Sequence, residues 1–386
     1  MNKVNFTKKL LTGAVAVILA FTVAGCGSSD KKDSAVSGGS AKVALLTATS
    51  GSAAAYGQSI KEGSELAAEE INADKNTKIK LQLSIEDTKG TKNDAINTMN
   101  KVIHKDNVVA VSGPMLSGEM FAAGPIAQQA GVPILGTSTT AEGITDIGNF
   151  IFRNAVPESI SIPFATKKAH DLLGFKTAAI MYSNNNDMEV SVFNTYKKTL
   201  EDLGVTVVGV ETFADKDTDF SAQLTKIQAL HPDVIAIASL YQEGSLIVKK
   251  AHELGMVQPI LGNNGFNSPQ FLKLAGNDAN GVIVGSPWFP EKTDDKVQNF
   301  RKAYKAKYNH EPDQFAAQAY DGIYLLHDAI EKAGSATDRK KVRDALTGIK
   351  DMVGVTGKFS FDENRNPKME INVLKIENGK FMELTK

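Results

Sequence analysis

From Lys42 onward the chain alternates between two hydrophobic periods almost without a break. Val43-Ala44-Leu45-Leu46 is a short continuous apolar run, which reads as a buried strand. Ile60, Gly63, Ala67 and Ile71 then recur at helical spacing, and residues 80–85 alternate apolar and polar as a strand does. Ala95, Met99, Val102 and Ile103 mark a helix, 108–111 a strand, Met120, Ala123 and Ala127 a helix, and 132–135 a strand. Beyond Pro157 the alternation restarts, with strands near 177–182, 205–210, 233–238 and 281–285. Helices fill 160–173, 187–202, 219–230 and 244–254. Later come helical segments near 294–308, 314–333 and 338–348, and alternating strands near 357–361 and 371–376. Continuous apolar strands between amphipathic helices predict parallel sheets covered on both faces. Two successive halves of this kind make a doubly wound α/β chain, whose ligands sit outside the carboxyl ends of the strands.

The first 41 residues follow a different pattern. Lys3, Lys8 and Lys9 precede a weakly polar to apolar stretch from Leu10 to Gly25, which ends in Val23-Ala24-Gly25-Cys26. A basic start, a short apolar core and small residues before a cut describe a secretory signal, and the stretch is short for a span of ~20 residues. Small residues ending in Cys resemble the lipobox of bacterial lipoproteins, which implies a diacylglycerol on the Cys26 sulfur. A plain signal peptide or an anchor helix with an incidental Cys is the alternative. Residues 27–41 (GSSDKKDSAVSGGSA) hold one large apolar residue, Val36, too little to order a segment. As a flexible linker they would span ~20 Å r.m.s.. The expectation is an extracytoplasmic body tethered to the cell membrane at Cys26.

Composition narrows the chemistry. Cys26 is the only cysteine, so once lipidated it leaves no disulfide, thiolate metal site or cysteine nucleophile. The formal charge is 43 − 44 = −1; without residues 1–25, which hold three lysines and no acid, it is 40 − 44 = −4. That is no footprint for nucleic acid. The 345 residues after residue 41 exceed the usual size of one core, so two domains are expected.

Catalytic motifs are missing. There is no Gly-x₄-Gly-Lys-Ser/Thr loop, no Gly-x-Gly-x-x-Gly and no Gly-x-Ser-x-Gly; Ser117 precedes Gly118 but has Met115 two before it. His104, His170, His231, His252, His310 and His327 are scattered without metal-ligand spacing. Glu69-Glu70 and Asp294-Asp295 fall on what read as solvated helix faces. The chain offers instead two hydroxyl-rich turns at strand ends. In 113–119 (GPMLSGE), Ser117 can cap the next helix with Glu119 in its first turn. The same helix start also suits an anion. In 136–140 (GTSTT), four hydroxyl side chains in a row follow a strand, serving the turn or a ligand. Parallel strands end on one side, so both turns would face one crevice.

At this point residues 42–386 resemble the substrate-binding proteins of branched-chain amino acid importers, a subset of the type 1 periplasmic binding proteins. The resemblance rests on Leu45-Leu46-Thr47 and 50–57 (SGSAAAYG), Gly63, 68–72 (AEEIN), Glu86-Asp87-Thr88 and 111–114 (VSGP). It continues through 131–134 (GVPI), Thr218-Asp219-Phe220, 319–322 (AYDG), Val355-Thr356-Gly357 and Phe361-Asp362. It implies two doubly wound parallel-sheet lobes joined by a three-segment hinge, with a small amino acid enclosed between them. On its pattern residues 1–25 are the signal and 26–41 the lipidated linker. Residues 42–158 with 288–371 form lobe 1, and 159–287 with 372–386 form lobe 2. Ser117 and Thr140 would hold the ligand carboxylate, and the Ser138 carbonyl with Thr140 the ammonium, with Thr139 beside them. Tyr56, Met115 and Leu116 would line the side-chain pocket from the first lobe, and Tyr241 would close it from the second. A monomer without cofactor or metal, working with a permease and an ATPase, is implied.

The chain departs from the family at one informative position. The family's ammonium partner is an acid in the loop after a second-lobe strand, and here that position is Asn264. An amide accepts a hydrogen bond from an ammonium but does not neutralise it, and a charge-assisted bond is roughly twice as strong as a neutral one. The family's pocket tyrosine near position 187 is also absent from 184–189 (NNNDME). Asp187, Glu189 or Glu243 could supply the missing charge, the ligand could be a carboxylate, amide or urea-like solute, or Asn264 could hold an aliphatic amino acid through geometry. Two other functions stand beside an importer receptor: a sensor passing occupancy to a membrane regulator, and an exported enzyme acting at Ser117.

Overall fold

In the computed structural model, which describes residues 39–385, the first sheet forms from alternating strands and helices. They are β1 (Ser40–Thr47), α1 (Ala54–Ala73), β2 (Lys80–Asp87), α2 (Lys92–His104), β3 (Ala110–Ser112), α3 (Ser117–Ala130), β4 (Ile134–Gly136) and β5 (Ile151–Arg153). The strands lie parallel in the order β2-β1-β3-β4-β5. The pattern then repeats as α4 (Glu158–Leu173), β6 (Thr177–Ser183), α5 (Asp187–Asp202), β7 (Thr206–Phe213), α6 (Ser221–Ala229), β8 (Val234–Ala238), α7 (Tyr241–Glu253), β9 (Ile260–Gly262), α8 (Pro269–Ala275) and β10 (Val282–Ser286). These strands take the same relative order, β7-β6-β8-β9-β10, again parallel. The remainder is α9 (Asp295–Tyr308), α10 (Gln314–Ala333), α11 (Arg339–Thr347), β11 (Met352–Gly354), β12 (Gly357–Phe361), β13 (Pro367–Lys368), β14 (Asn372–Glu377) and β15 (Lys380–Glu383).

Burial explains the strand runs. All five residues of β8 and of β10 are buried, because helices cover both faces of a parallel sheet. Each fully buried Val, Leu or Ile contributes ~1.5–3 kcal/mol over its exposed state. The last third of the chain serves both sheets. Ile323, Leu326 and Ile330 of α10 and Phe359 and Phe361 of β12 share a core with Val43 and Leu81 of the first sheet. β14 instead pairs with β10 in the second sheet. The chain therefore passes between the sheets three times, after β5, after β10 and after β13.

Several expectations change. The second sheet is not wholly parallel: β14 and β15 extend it as an antiparallel hairpin. Its turn is Asn378-Gly379, both at positive φ (50° and 72°), which a two-residue hairpin turn demands. β5 and β9 were not marked by the pattern; their apolar runs are shorter than those at 108–111 and 132–135, which marked β3 and β4. Glu70 is not a bare surface acid, since it accepts hydrogen bonds from the Tyr320 and Tyr324 hydroxyls. Asp294 caps α9, accepting from the Lys296 N–H at 2.8 Å. Cys26 and the rest of 1–38 lie outside the described residues. Among the described residues no helix is long and apolar enough to cross a membrane.

Candidate functional site

A cavity of about 420 Å³ lies where the carboxyl ends of the two sheets meet. Its lining comes almost entirely from loops that follow strands: Ser52 after β1, Lys89 to Lys92 after β2, Met115 to Glu119 after β3, and Ser138 and Thr140 after β4. From the second sheet come Asn185 to Met188 after β6, Asp215 and Lys216 after β7, Leu240 after β8, and Asn264 and Gly265 after β9. Two sheets with one strand order, set end to end, leave their crevice there.

The first turn works differently from the expected cap. Leu116, not Ser117, is the N-cap of α3, and no side chain caps this helix. Ser117 is its first residue, and its Oγ accepts the Ala141 N–H at 3.2 Å. That leaves the Ser117 hydroxyl hydrogen free to donate. Glu119 turns back instead, accepting the Leu116 N–H at 3.2 Å. Burial pushes its carboxyl up to about 7. In the second turn Ser138 and Thr140 line the cavity. The Ser138 hydroxyl donates to the Met115 carbonyl at 2.6 Å, so only its lone pairs remain for a ligand. Two hydroxyl donors, Ser117 and Thr140, thus stand at an uncapped helix start, whose free N–H groups and dipole favour an anion.

Ser117, Ser138, Thr140, Tyr56, Met115, Leu116, Asp187 and Asn264 are all brought together in this lining. Thr139 is not: it is fully buried, and its carbonyl accepts from Arg153 at 3.0 Å. Tyr241 stands behind the wall, with its hydroxyl on the Ser52 carbonyl at 2.8 Å and its ring 4.9 Å from that of Tyr56. The Tyr56 hydroxyl accepts the Tyr241 N–H at 2.8 Å and donates to the Gly265 carbonyl at 2.6 Å, joining α1 to two loops of the second sheet. Of the three acids considered for the missing charge, only Asp187 lines the cavity, and it is paired with Lys92 at 2.6 Å. Glu189 turns to the N–H groups of Ser183 and Leu240, and Glu243 to that of Lys216. Lys92, Asp215, Lys216, Gly265 and Phe315 were missed. Only the strand-end position of the first four could have marked them.

Behind Asn264 lies Glu158, which is 1% exposed and accepts the Asn264 N–H at 2.7 Å. Burial pushes its carboxyl from 4.5 up to about 7. The native state therefore keeps a proton that the unfolded chain has released. The contribution is whole below pH 4.5 and is lost as pH rises through about 7. Glu158→Gln accepts the same N–H without titrating. It should flatten the fall in stability between pH 4.5 and 7 by on the order of 3 kcal/mol. Parallel urea melts of both proteins across that range check this; superimposable profiles refute it.

Comparison with known proteins places this geometry. A family model described as "Periplasmic binding protein" matches residues 40–380. The branched-chain amino acid transporter substrate-binding protein LivJ of Streptococcus pneumoniae, solved with isoleucine, is 31% identical with a TM-score of 0.83, covering 89% of this chain and 97% of its own. The leucine-binding protein LivK of Thermotoga maritima is 28% identical with a TM-score of 0.85, over 89% and 98%. The leucine-, isoleucine-, valine-, threonine- and alanine-binding protein of Pseudomonas aeruginosa is 29% identical over 85% of this chain and 87% of its own.

Proposed function

Because the chain belongs to the periplasmic binding protein family, whose members are solute receptors rather than enzymes, we propose that it captures a small branched aliphatic carboxylate of the amino-acid type and delivers it to the permease of an ABC importer. The observation that carries this reading is the pairing of the free Ser117 and Thr140 hydroxyls at the uncapped start of α3, inside a cavity of about 420 Å³. The volume leaves ample room for a solute of leucine size, and the relatives that bind leucine, isoleucine and valine support the aliphatic class. Residues 42–158 with 288–371 act as one lobe and 159–287 with 372–386 as the other. The three passages of chain between the sheets are the hinge, and closure completes contacts that the first lobe begins. The receptor works as a monomer outside the cytoplasmic membrane, held by lipid at Cys26. The run Val23-Ala24-Gly25-Cys26 supports that anchor.

A thermal-shift series with leucine, isoleucine and valine tests the class. At 100-fold excess over Kd the stabilisation should reach ~2.7 kcal/mol. Ser117→Ala and Thr140→Ala should each weaken the best ligand by roughly 1–3 kcal/mol, the worth of a hydrogen bond to a charged group. Calorimetry showing unchanged affinity in both variants would remove the carboxylate site.

A further inference from the structure

Asn264 lines the cavity, and a relay of buried amides decides which end of its side-chain amide is left unpartnered. Gln318 Nε2 donates to the Asn154 carbonyl at 3.3 Å. A backbone carbonyl only accepts, so Gln318 must offer its oxygen on the other side. That oxygen accepts from Gln314 Nε2 at 3.0 Å; Gln314 Oε1 lies 2.8 Å from the Ser286 hydroxyl, whose single hydrogen also faces the Trp288 carbonyl at 2.8 Å, so the Gln318 end of the relay sets the orientation. The second hydrogen on Gln314 Nε2 goes to Asn264 Oδ1. Gln314 and Gln318 are 2% and 1% exposed, so neither amide can turn to water. Reversing Gln314 would require reversing Gln318, which would set two oxygens against each other at Asn154. Asn264 Oδ1 is thereby engaged, and its Nδ2 makes no hydrogen bond to another described residue.

The carboxylates that line the cavity are engaged in part, and only Asp187 by a cation. Asp187 pairs with Lys92. Asp215 accepts from the Ser183 hydroxyl at 2.7 Å and from Asn186 Nδ2 at 3.1 Å. Glu119 receives the Leu116 N–H on one oxygen; the other, Oε1, is buried without a partner. Ser138 Oγ offers a neutral lone pair, which does not neutralise an enclosed cation.

We propose that this receptor discriminates by the group next to the carboxylate. Asn264 donates to an acceptor there, so a branched aliphatic 2-oxo acid binds more tightly than the amino acid with the same side chain. The proposal rests on the carboxylate site above and replaces the amino acid by its 2-oxo counterpart as the preferred ligand. Gln314 acts as a positioning residue by holding the Asn264 amide in its donating orientation.

Calorimetry with 4-methyl-2-oxopentanoate and leucine at pH 7.5 tests it. The oxo acid should bind at least roughly tenfold more tightly, because an unmatched buried donor forfeits about that factor. Asn264→Asp should reverse the order, and Gln314→Glu, which cannot donate, should shrink the preference. Tighter binding of leucine to the unmodified protein overturns the proposal, and its loss in Glu119→Gln would assign the ammonium to Glu119. If leucine wins and Ser117→Ala still weakens it, the carboxylate site stands while this proposal falls. If neither compound binds, both fall.

Discussion

Gly63→Ala is expected to destabilise the protein by ~2 kcal/mol or more, although alanine is the better helix former. Gly63 lies in α1 where that helix crosses α10. A Cβ built on it would stand 2.1 Å from the Ala316 carbonyl oxygen, 2.8 Å from its carbon and 2.9 Å from its Cα. All three are backbone atoms, so no rotamer change relieves the contact. The helices would have to separate, and overpacking of this kind costs ~1–3 kcal/mol where side chains can yield and more where they cannot. Against that stands a gain of ~0.5–1 kcal/mol from replacing a helical glycine. The backbone clash wins. Urea unfolding checks the sign: a Gly63→Ala protein more stable than its parent would mean that α1 and α10 do not approach so closely.

The same residue shows what was legible in the chain and what was not. Gly63 stands at helical spacing with Ile60, Ala67 and Ile71, so the buried face of α1 could be read locally. Its partner, Ala316, lies some 250 residues away, and no local period points to it. Fully buried strands of five residues, such as β8 and β10, were equally plain. β5 and β9 were not: they are as short as β3 and β4 but lack the four-residue runs at 108–111 and 132–135 that marked those. The hairpin between β14 and β15 had a legible signal, Asn378-Gly379, that the terminal pattern hid.

The candidate site divides in the same way. Its hydroxyls were visible because strand-end turns are contiguous. Which hydroxyls face the cavity was not, because β4 ends at Gly136 and the chain bends at Thr137 and Ser138. Ser138 and Thr140 line the cavity, whereas Thr137 and Thr139 are 1% and 0% exposed. The orientation of Asn264 was not readable, because it depends on Asn154, Gln314 and Gln318, which lie on other elements. Phe315, with its ring 4.6 Å from that of Tyr56, likewise reaches the cavity only through the packing of α10.

Tyr56→Phe should cost more ligand affinity than breaking the ion pair beside it. The cavity is lined by loops of both sheets, and in the proposed hinge motion a solute enters as those loops part. In the closed arrangement the Tyr56 hydroxyl is the acceptor for the Tyr241 N–H and the donor to the Gly265 carbonyl, and Tyr56 is 3% exposed. Phenylalanine keeps the ring packing on Phe315 and Tyr241 but leaves both backbone groups unpaired. When the loops part, water satisfies them, so the penalty falls on closure. At ~1–3 kcal/mol for each of the two unsatisfied buried groups, affinity should drop by roughly 2–6 kcal/mol. The Lys92–Asp187 pair also joins α2 to α5, at 2.6 Å, but its side chains are 59% and 39% exposed. Exposed pairs contribute ~0–1 kcal/mol, so Lys92→Met should weaken binding by less than about tenfold. Calorimetry on the two variants ranks them, and small-angle scattering with saturating ligand should show more open protein for Tyr56→Phe alone. A larger loss in Lys92→Met would move the latch from the buried hydroxyl to the rim.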